Sequence, residues 1–198
     1  MKRGKFIVFY GINNIGKTTQ AKMLVDYLNR RNIPAQFVKY AVYDLEPAGK
    51  LINDYLRNGN PYKFTPREVQ LLHYIDRISF QKTLQEKLDR GINIIAEDYF
   101  GTAVAWGTGA GVSKILLEYL YSFVRNEDLS ILFAGRRFPN AVESRHKHET
   151  DKPLLNKVSK IHLQLGKKYG WKNINANRAV NEVHKDIVRL VGRIIDIK

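Results

Sequence analysis

The chain contains no cysteine. That excludes a disulfide framework and a thiolate metal site, and it is compatible with a reducing cytoplasm. Long hydrophobic runs are missing too. Met1-Lys2-Arg3-Gly4-Lys5 leads into an apolar stretch of only Phe6 to Tyr10, too short for a signal-peptide core or a membrane span. Acidic residues are scarce: 19 Asp and Glu stand against 33 Lys and Arg, a formal net charge of +14. Such a surplus suits polyanions, or it is simply a solvated basic surface. There is no basic tail and no aromatic–basic alternation of the kind that binds single strands, which argues against a nucleic-acid partner. Repeats, low-complexity tracts and linkers are also lacking.

What is present reads as one domain over residues 1–198. The length allows a substantial core, and 44% hydrophobic with 26% charged residues is ordinary for a globular chain. Strand and helix signals alternate. Phe6 to Tyr10 is continuously apolar, as a central parallel strand covered on both faces should be. Ala21, Leu24, Val25 and Leu28 recur at helical spacing within a helix from about Lys17 to Arg30. Ala35 to Tyr40 reads as a strand, and Pro47 to Leu56 as a short helix stopped by Asn58-Gly59-Asn60-Pro61. Thr65-Pro66-Arg67-Glu68 is a capping box with proline at the first helical position. The helix it opens should run to about Arg90, with Gly91 as its stop. Further strands are expected at Ile92–Ala96, Leu129–Phe133 and Trp171–Ile174. Further helices are expected at Ile115–Val124, at Pro153–Lys168, and from Val180 to Ile194. This alternation predicts an α/β fold: a three-layer, doubly wound, parallel five-stranded sheet.

Gly11-Ile12-Asn13-Asn14-Ile15-Gly16-Lys17-Thr18 fits the phosphate-loop pattern of P-loop NTPases. It lies directly after a buried strand and opens a helix, which is the context the chemistry needs. Glycines let backbone N–H groups turn inward around phosphate oxygens, and the helix N-terminus adds partial positive charge. Lys17 can reach the β- and γ-phosphates, and the Thr18 hydroxyl can coordinate Mg²⁺. The loop specifies a triphosphate such as ATP and leaves the acceptor open.

Several segments together resemble the thymidylate kinase family. Phe6 through Leu24, with Lys17-Thr18-Thr19-Gln20-Ala21, looks like that family's first strand, loop and helix. Leu71-Leu72-His73-Tyr74-Ile75-Asp76-Arg77 resembles the helix carrying a base-stacking aromatic and a phosphate-binding arginine. Glu97-Asp98-Tyr99 and Thr102-Ala103-Val104-Ala105-Trp106 sit where the family has an Asp-Arg-Tyr motif and a pocket wall. Ile174-Asn175-Ala176-Asn177-Arg178 with Glu182-Val183-His184 resembles the segment flanking adenine. The resemblance implies phosphorylation of dTMP by ATP, with Mg²⁺, and admits a homodimer. It assigns Gly11 to Thr19 and Ala176 to ATP. It assigns His73, Arg77, Tyr99 and Trp106 to the acceptor, and Thr18 and Glu97 to the metal. Lys17 and Glu97 are its catalytic groups.

A guanidinium at Arg77 suits a phosphate, although Asp76 could equally take it in a salt bridge. His73 lies one turn earlier on the same helix face, where the family usually has phenylalanine. It can stack on a base or be a half-exposed histidine. Trp106 can line the pocket or pack the core. Asn13 and Asn14 replace residues that are often Asp and Gly, and no arginine lies in the loop. In some members of the family the catalytic arginine comes instead from a lid after the fourth strand, so the resemblance implies a cation from a lid near 136–151, as Arg137, Arg145 or Lys147. His146 and His148 lack a third ligand of convincing spacing for a metal. Asp44 stands where relatives often carry an arginine near the acceptor. Asp98, replacing another arginine, can join the metal environment or pair with a basic neighbour.

Overall fold

The computed structural model describes residues 2–138 and 151–197. Its strands are β1 (Phe6–Tyr10), β2 (Ala35–Lys39), β3 (Asn93–Glu97), β4 (Leu129–Ala134) and β5 (Lys172–Asn175). Its helices are α1 (Lys17–Asn29), α2 (Ala48–Arg57), α3 (Pro66–Asp89), α4 (Phe100–Gly109), α5 (Lys114–Tyr121), α6 (Lys152–Lys168) and α7 (Val180–Val191). The five strands form one sheet in the order β2-β3-β1-β4-β5, and every pairing is parallel. Helices α1 and α7 pack together, while α3 to α6 form a second contiguous group. The expected doubly wound α/β architecture is thus the observed one.

β1 lies at the centre, with Phe9 opposite Glu97 of β3 on one side and Ile131 of β4 on the other. All five of its residues are fully buried, because a strand covered on both faces has no solvent side. At the start of α3, Thr65 Oγ1 accepts from the Glu68 amide at 3.3 Å, and the Glu68 carboxylate accepts from the Thr65 amide at 2.7 Å. The capping box therefore forms as read. Gly91, at φ 80°, supplies the left-handed residue after that helix.

One helix escaped the sequence reading. The sequence marks α4 only as a pocket wall, because Phe100–Gly109 contains three glycines and no polar face. Helix periodicity requires two faces of different polarity, and eight of its ten residues are buried. Packing makes it a helix. A methyl group on Gly101 would run into the Trp171 ring, one on Gly107 would meet Leu117 and Gln70, and one on Gly109 would meet Val158. The small residues let α4 sit this deep, and the burial offsets their poor helix propensity. Among the described residues no helix is long and apolar enough to cross a membrane.

Candidate active site

Parallel strands all end on the same side, and the site is built there. After β1 the chain turns through Gly11 (φ 135°), Asn14 (φ 61°) and Gly16 (φ 90°) into α1. No side chain caps α1, so its first amides are left for an anion. Lys17 is buried, and its ammonium donates to the carbonyls of Gly11 and Ile12, each at 2.9 Å. Ile12 and Ile15 are anchors: both side chains join the core and hold the loop's backbone in place.

β3 delivers the two carboxylates. Glu97 accepts a hydrogen bond from the Thr18 hydroxyl and lies 3.8 Å from the Lys17 ammonium. Asp98 follows with φ 61°, a left-handed conformation held by its amide donating to the Phe9 carbonyl at 3.1 Å. Asp98 accepts from the Thr102 hydroxyl at 2.9 Å and lies 3.7 Å from Lys17. It therefore faces the site, and the basic neighbour it pairs with is the phosphate-loop lysine itself. From the next strand, Lys39 of β2 lies 3.5 Å from Glu97. Burial works against its charge, but Glu97 and Asp98 outweigh that and raise its pKa above the usual lysine value.

The acceptor-side residues come from α3. Arg77 is almost fully buried. One terminal nitrogen donates to the His73 carbonyl at 2.9 Å, lies 3.1 Å from His73 Nδ1 and 3.3 Å from Asp76. The other donates to the Tyr99 carbonyl at 3.5 Å. A guanidinium only donates, so Nδ1 of His73 is the acceptor. The salt bridge with Asp76 and a place in the site are both realised. Asp76 also accepts the Val42 amide at 2.8 Å, which fixes the turn after β2. Burial raises the Asp76 pKa against the opposing pull of Arg77 and the Val42 amide.

These groups line one cavity of roughly 360 Å³. Its donor end is walled by Asn13, Asn14, Gly16, Lys17, Thr18, Thr19 and Phe138. Its middle holds Lys39, Glu97 and Asp98. Its far end is walled by Tyr43, Arg57, His73, Arg77, Thr102 and Trp106. Phe138 is tied to the loop by its amide donating to the Asn14 carbonyl at 2.7 Å, and Arg137 Nε donates to the Asn13 carbonyl at 3.2 Å. Arg145 and Lys147, with His146 and His148, lie outside the described residues.

The expectation for Tyr99 is corrected. Its side chain is fully buried against Phe6, Tyr40 and Phe100, and its hydroxyl accepts from Gln81 at 2.7 Å. It packs behind the site and offers only its carbonyl to Arg77. Ala176 is likewise buried and does not line the cavity. Asp44 is exposed and stands outside the cavity, where Tyr43 is the lining residue. Lys39 and Arg57 were missed. The end of β2 was a usable signal for Lys39, since ligands bind at strand C-termini. Nothing in the sequence singles out Arg57.

The thymidylate kinase family model matches residues 9–187. The thymidylate kinase of Plasmodium falciparum (isolate 3D7) is 27% identical, covering 98% of this chain and 92% of that protein. The one from Dictyostelium discoideum is also 27% identical, covering 94% and 84%. The probable thymidylate kinase of Pyrobaculum aerophilum is 27% identical over 98% and 99%. In fold, the chain resembles the solved thymidylate kinase from Candida albicans with a TM-score of 0.81, at 20% identity over 96% and 92% of the two chains. The family match begins inside β1 and ends inside α7, so it spans every strand and loop that builds the cavity, and the chain belongs to the thymidylate kinase family.

Proposed function

We propose that this chain transfers the γ-phosphoryl group of ATP to dTMP, giving dTDP and ADP. The observation that carries the reading is the single cavity that joins an uncapped phosphate loop to a pocket carrying a histidine and a buried arginine. Phosphoryl transfer asks little covalent chemistry of a protein. It asks that two anions be held in line, their charge neutralised and water kept out.

The loop amides and α1 hold the donor phosphates. Lys17 exchanges its two loop carbonyls for phosphate oxygens. His73 and Trp106 enclose the base and sugar, and Arg77 donates to the acceptor nucleotide. Among the described residues Arg137, held against the loop, is a candidate for the cation that follows the moving phosphoryl group; Arg145 and Lys147 complete that expectation.

Mg²⁺ fits the donor set. Thr18 Oγ1, Glu97 and Asp98 gather hard oxygen atoms beside the loop, as a cation that keeps several waters prefers. Among the described residues no group of three or more His, Cys, Asp or Glu forms a protein-only metal cage. When bound, the metal supplies charge neutralisation across the donor phosphates. A cytoplasmic setting belongs to the same proposal.

A second copy of the chain is proposed as partner. Leu71, Ile75 and Ile78 are exposed on α3 at helical spacing and form an apolar stripe.

The decisive experiment offers ATP with dTMP, dUMP, UMP, dCMP and thymidine in turn, with and without Mg²⁺. The expected result is Mg²⁺-dependent dTDP formation. Preference for another acceptor would reassign the substrate. Salt-dependent DNA or RNA binding with no transfer to any acceptor would replace the kinase reading with a nucleotide-switched binding protein.

A further inference from the structure

The centre of the cavity is crowded with charge. Glu97 and Asp98 both face Lys17, at 3.8 and 3.7 Å. The reaction brings two more anions to the same place. A pair of carboxylates beside them repels the substrates unless further positive charge is supplied.

Arg77 is poorly placed to supply it. The arginine is locked under the far end of the cavity, and Asp76 at 3.3 Å already cancels its charge. Lys17 belongs to the donor loop. Lys39 also faces a carboxylate, but one that it shares with Lys17, and it belongs neither to the donor loop nor to the buried floor of the cavity. It ends β2, where the sheet register sets it opposite Glu97. Its ammonium lies 3.5 Å from the same Glu97 oxygen that faces Lys17. The residues that follow it, Tyr40, Ala41 and Tyr43, line the acceptor end. Lys39 therefore stands at the boundary between the two halves, and its side chain is 47% exposed, free to lean toward a ligand.

We propose that Lys39 binds the phosphate of the acceptor monophosphate and neutralises it beside Glu97 and Asp98. This inference rests on the kinase reading and adds to it the cation on which the acceptor phosphate sits. Mg²⁺ on Glu97 and Asp98 would neutralise the donor phosphates; among the protein's own groups, without Lys39 the two carboxylates face one ammonium while the acceptor dianion approaches. With it, the acceptor oxygen is held next to the donor end of the cavity, in reach of the in-line attack that transfer requires.

The test compares ligands with and without the phosphate. In the full chain, Lys39→Met removes the charge and keeps much of the side-chain length, and Lys39→Arg keeps the charge. Binding of dTMP to Lys39→Met should weaken by about 10- to 100-fold, the scale of a charge-assisted hydrogen bond. Thymidine and ATP should bind both variants as they bind the unmodified chain, and Lys39→Arg should restore most of the dTMP affinity. Unchanged dTMP affinity in Lys39→Met overturns the assignment. So does an equal loss for thymidine, which marks a role in shaping the pocket. The unmodified chain separates this failure from that of the reaction itself: if it makes no dTDP from ATP and dTMP, the kinase reading fails, whatever Lys39 does.

Discussion

The Lys17 ammonium donates to two carbonyls of its own loop. Neutral loop oxygens hold the ammonium that phosphate oxygens would take over, and the two carboxylates it faces keep other partners without it, Glu97 the Thr18 hydroxyl and Lys39, Asp98 the Thr102 hydroxyl. Lys17→Ala should therefore leave a folded protein with turnover reduced on the order of 10²- to 10³-fold, the cost of removing one preorganised donor. Circular dichroism checks the fold and a coupled ADP assay checks the rate. Near-normal turnover would remove Lys17 from the donor site. Two other groups, half-buried Glu127 and buried His162, link protonation to stability. Burial pushes Glu127 up to about 7, although the Tyr10 hydroxyl it binds pulls the other way. The folded state thus prefers this carboxyl protonated. Its contribution is full below the ordinary value of 4.5 and is lost as pH rises through about 7. His162, beneath the phosphate loop, goes the opposite way. Burial first, and the Lys17 charge second, lower it to about 3. Its contribution is full above the ordinary 6.5 and is lost as pH falls toward about 3. Melting temperatures across pH should decline less on the alkaline side in Glu127→Gln and less on the acid side in His162→Phe. Parallel profiles for variant and unmodified protein would detach these groups from the pH dependence.

At the scale of elements, α4 shows how a helix can exist without a helical pattern. Its first turn is wedged against Trp171, which stacks on Tyr10 at 4.0 Å between ring centres. Gly101→Ala places a methyl group into that ring, and rings packed on both sides cannot retreat. Overpacking of this kind typically costs about 1–3 kcal/mol. A shifted urea midpoint with an unchanged slope is the expected signature. Stability equal to that of the unmodified chain would mean that the Trp171 contact is looser than the geometry implies. The turn after β2 shows a different device. Asp76 grips the Val42 amide and Arg77 together, so one buried carboxylate couples α3 to the loop that carries Tyr40 and Tyr43.

For the whole molecule, the sheet order places β1 between β3 and β4 and so gathers the ends of β1, β2 and β3 into one cavity. The opposite demand, covering apolar surface, is left open on α3 at Leu71, Ile75 and Ile78. If a second copy covers that stripe, Ile75→Glu buries a charge in the interface, and dissociation should shift by at least tenfold toward monomer. Sedimentation velocity over a range of concentrations reads this directly. A monomer at every concentration in the unmodified chain would end the dimer proposal.

Local chemistry was legible in the chain itself. The loop from Gly11 to Thr18, the capping box at Thr65 and the stop at Gly91 depend on neighbours within a few residues, so the sequence alone determined them. The alternation of apolar strand runs with amphipathic helices determined the parallel α/β class for the same reason. Tertiary structure decided the rest. Tyr99 follows two site-facing carboxylates, yet its side chain turns into the core, because Asp98 takes a left-handed turn and Phe6 and Tyr40 receive the ring. α4 became a helix because its glycines fit between neighbours distant in sequence. Lys39 reached Glu97, 58 positions further along the chain, because parallel pairing of β2 with β3 set them side by side. A contact of that range has no local signature; it exists only once the sheet has closed.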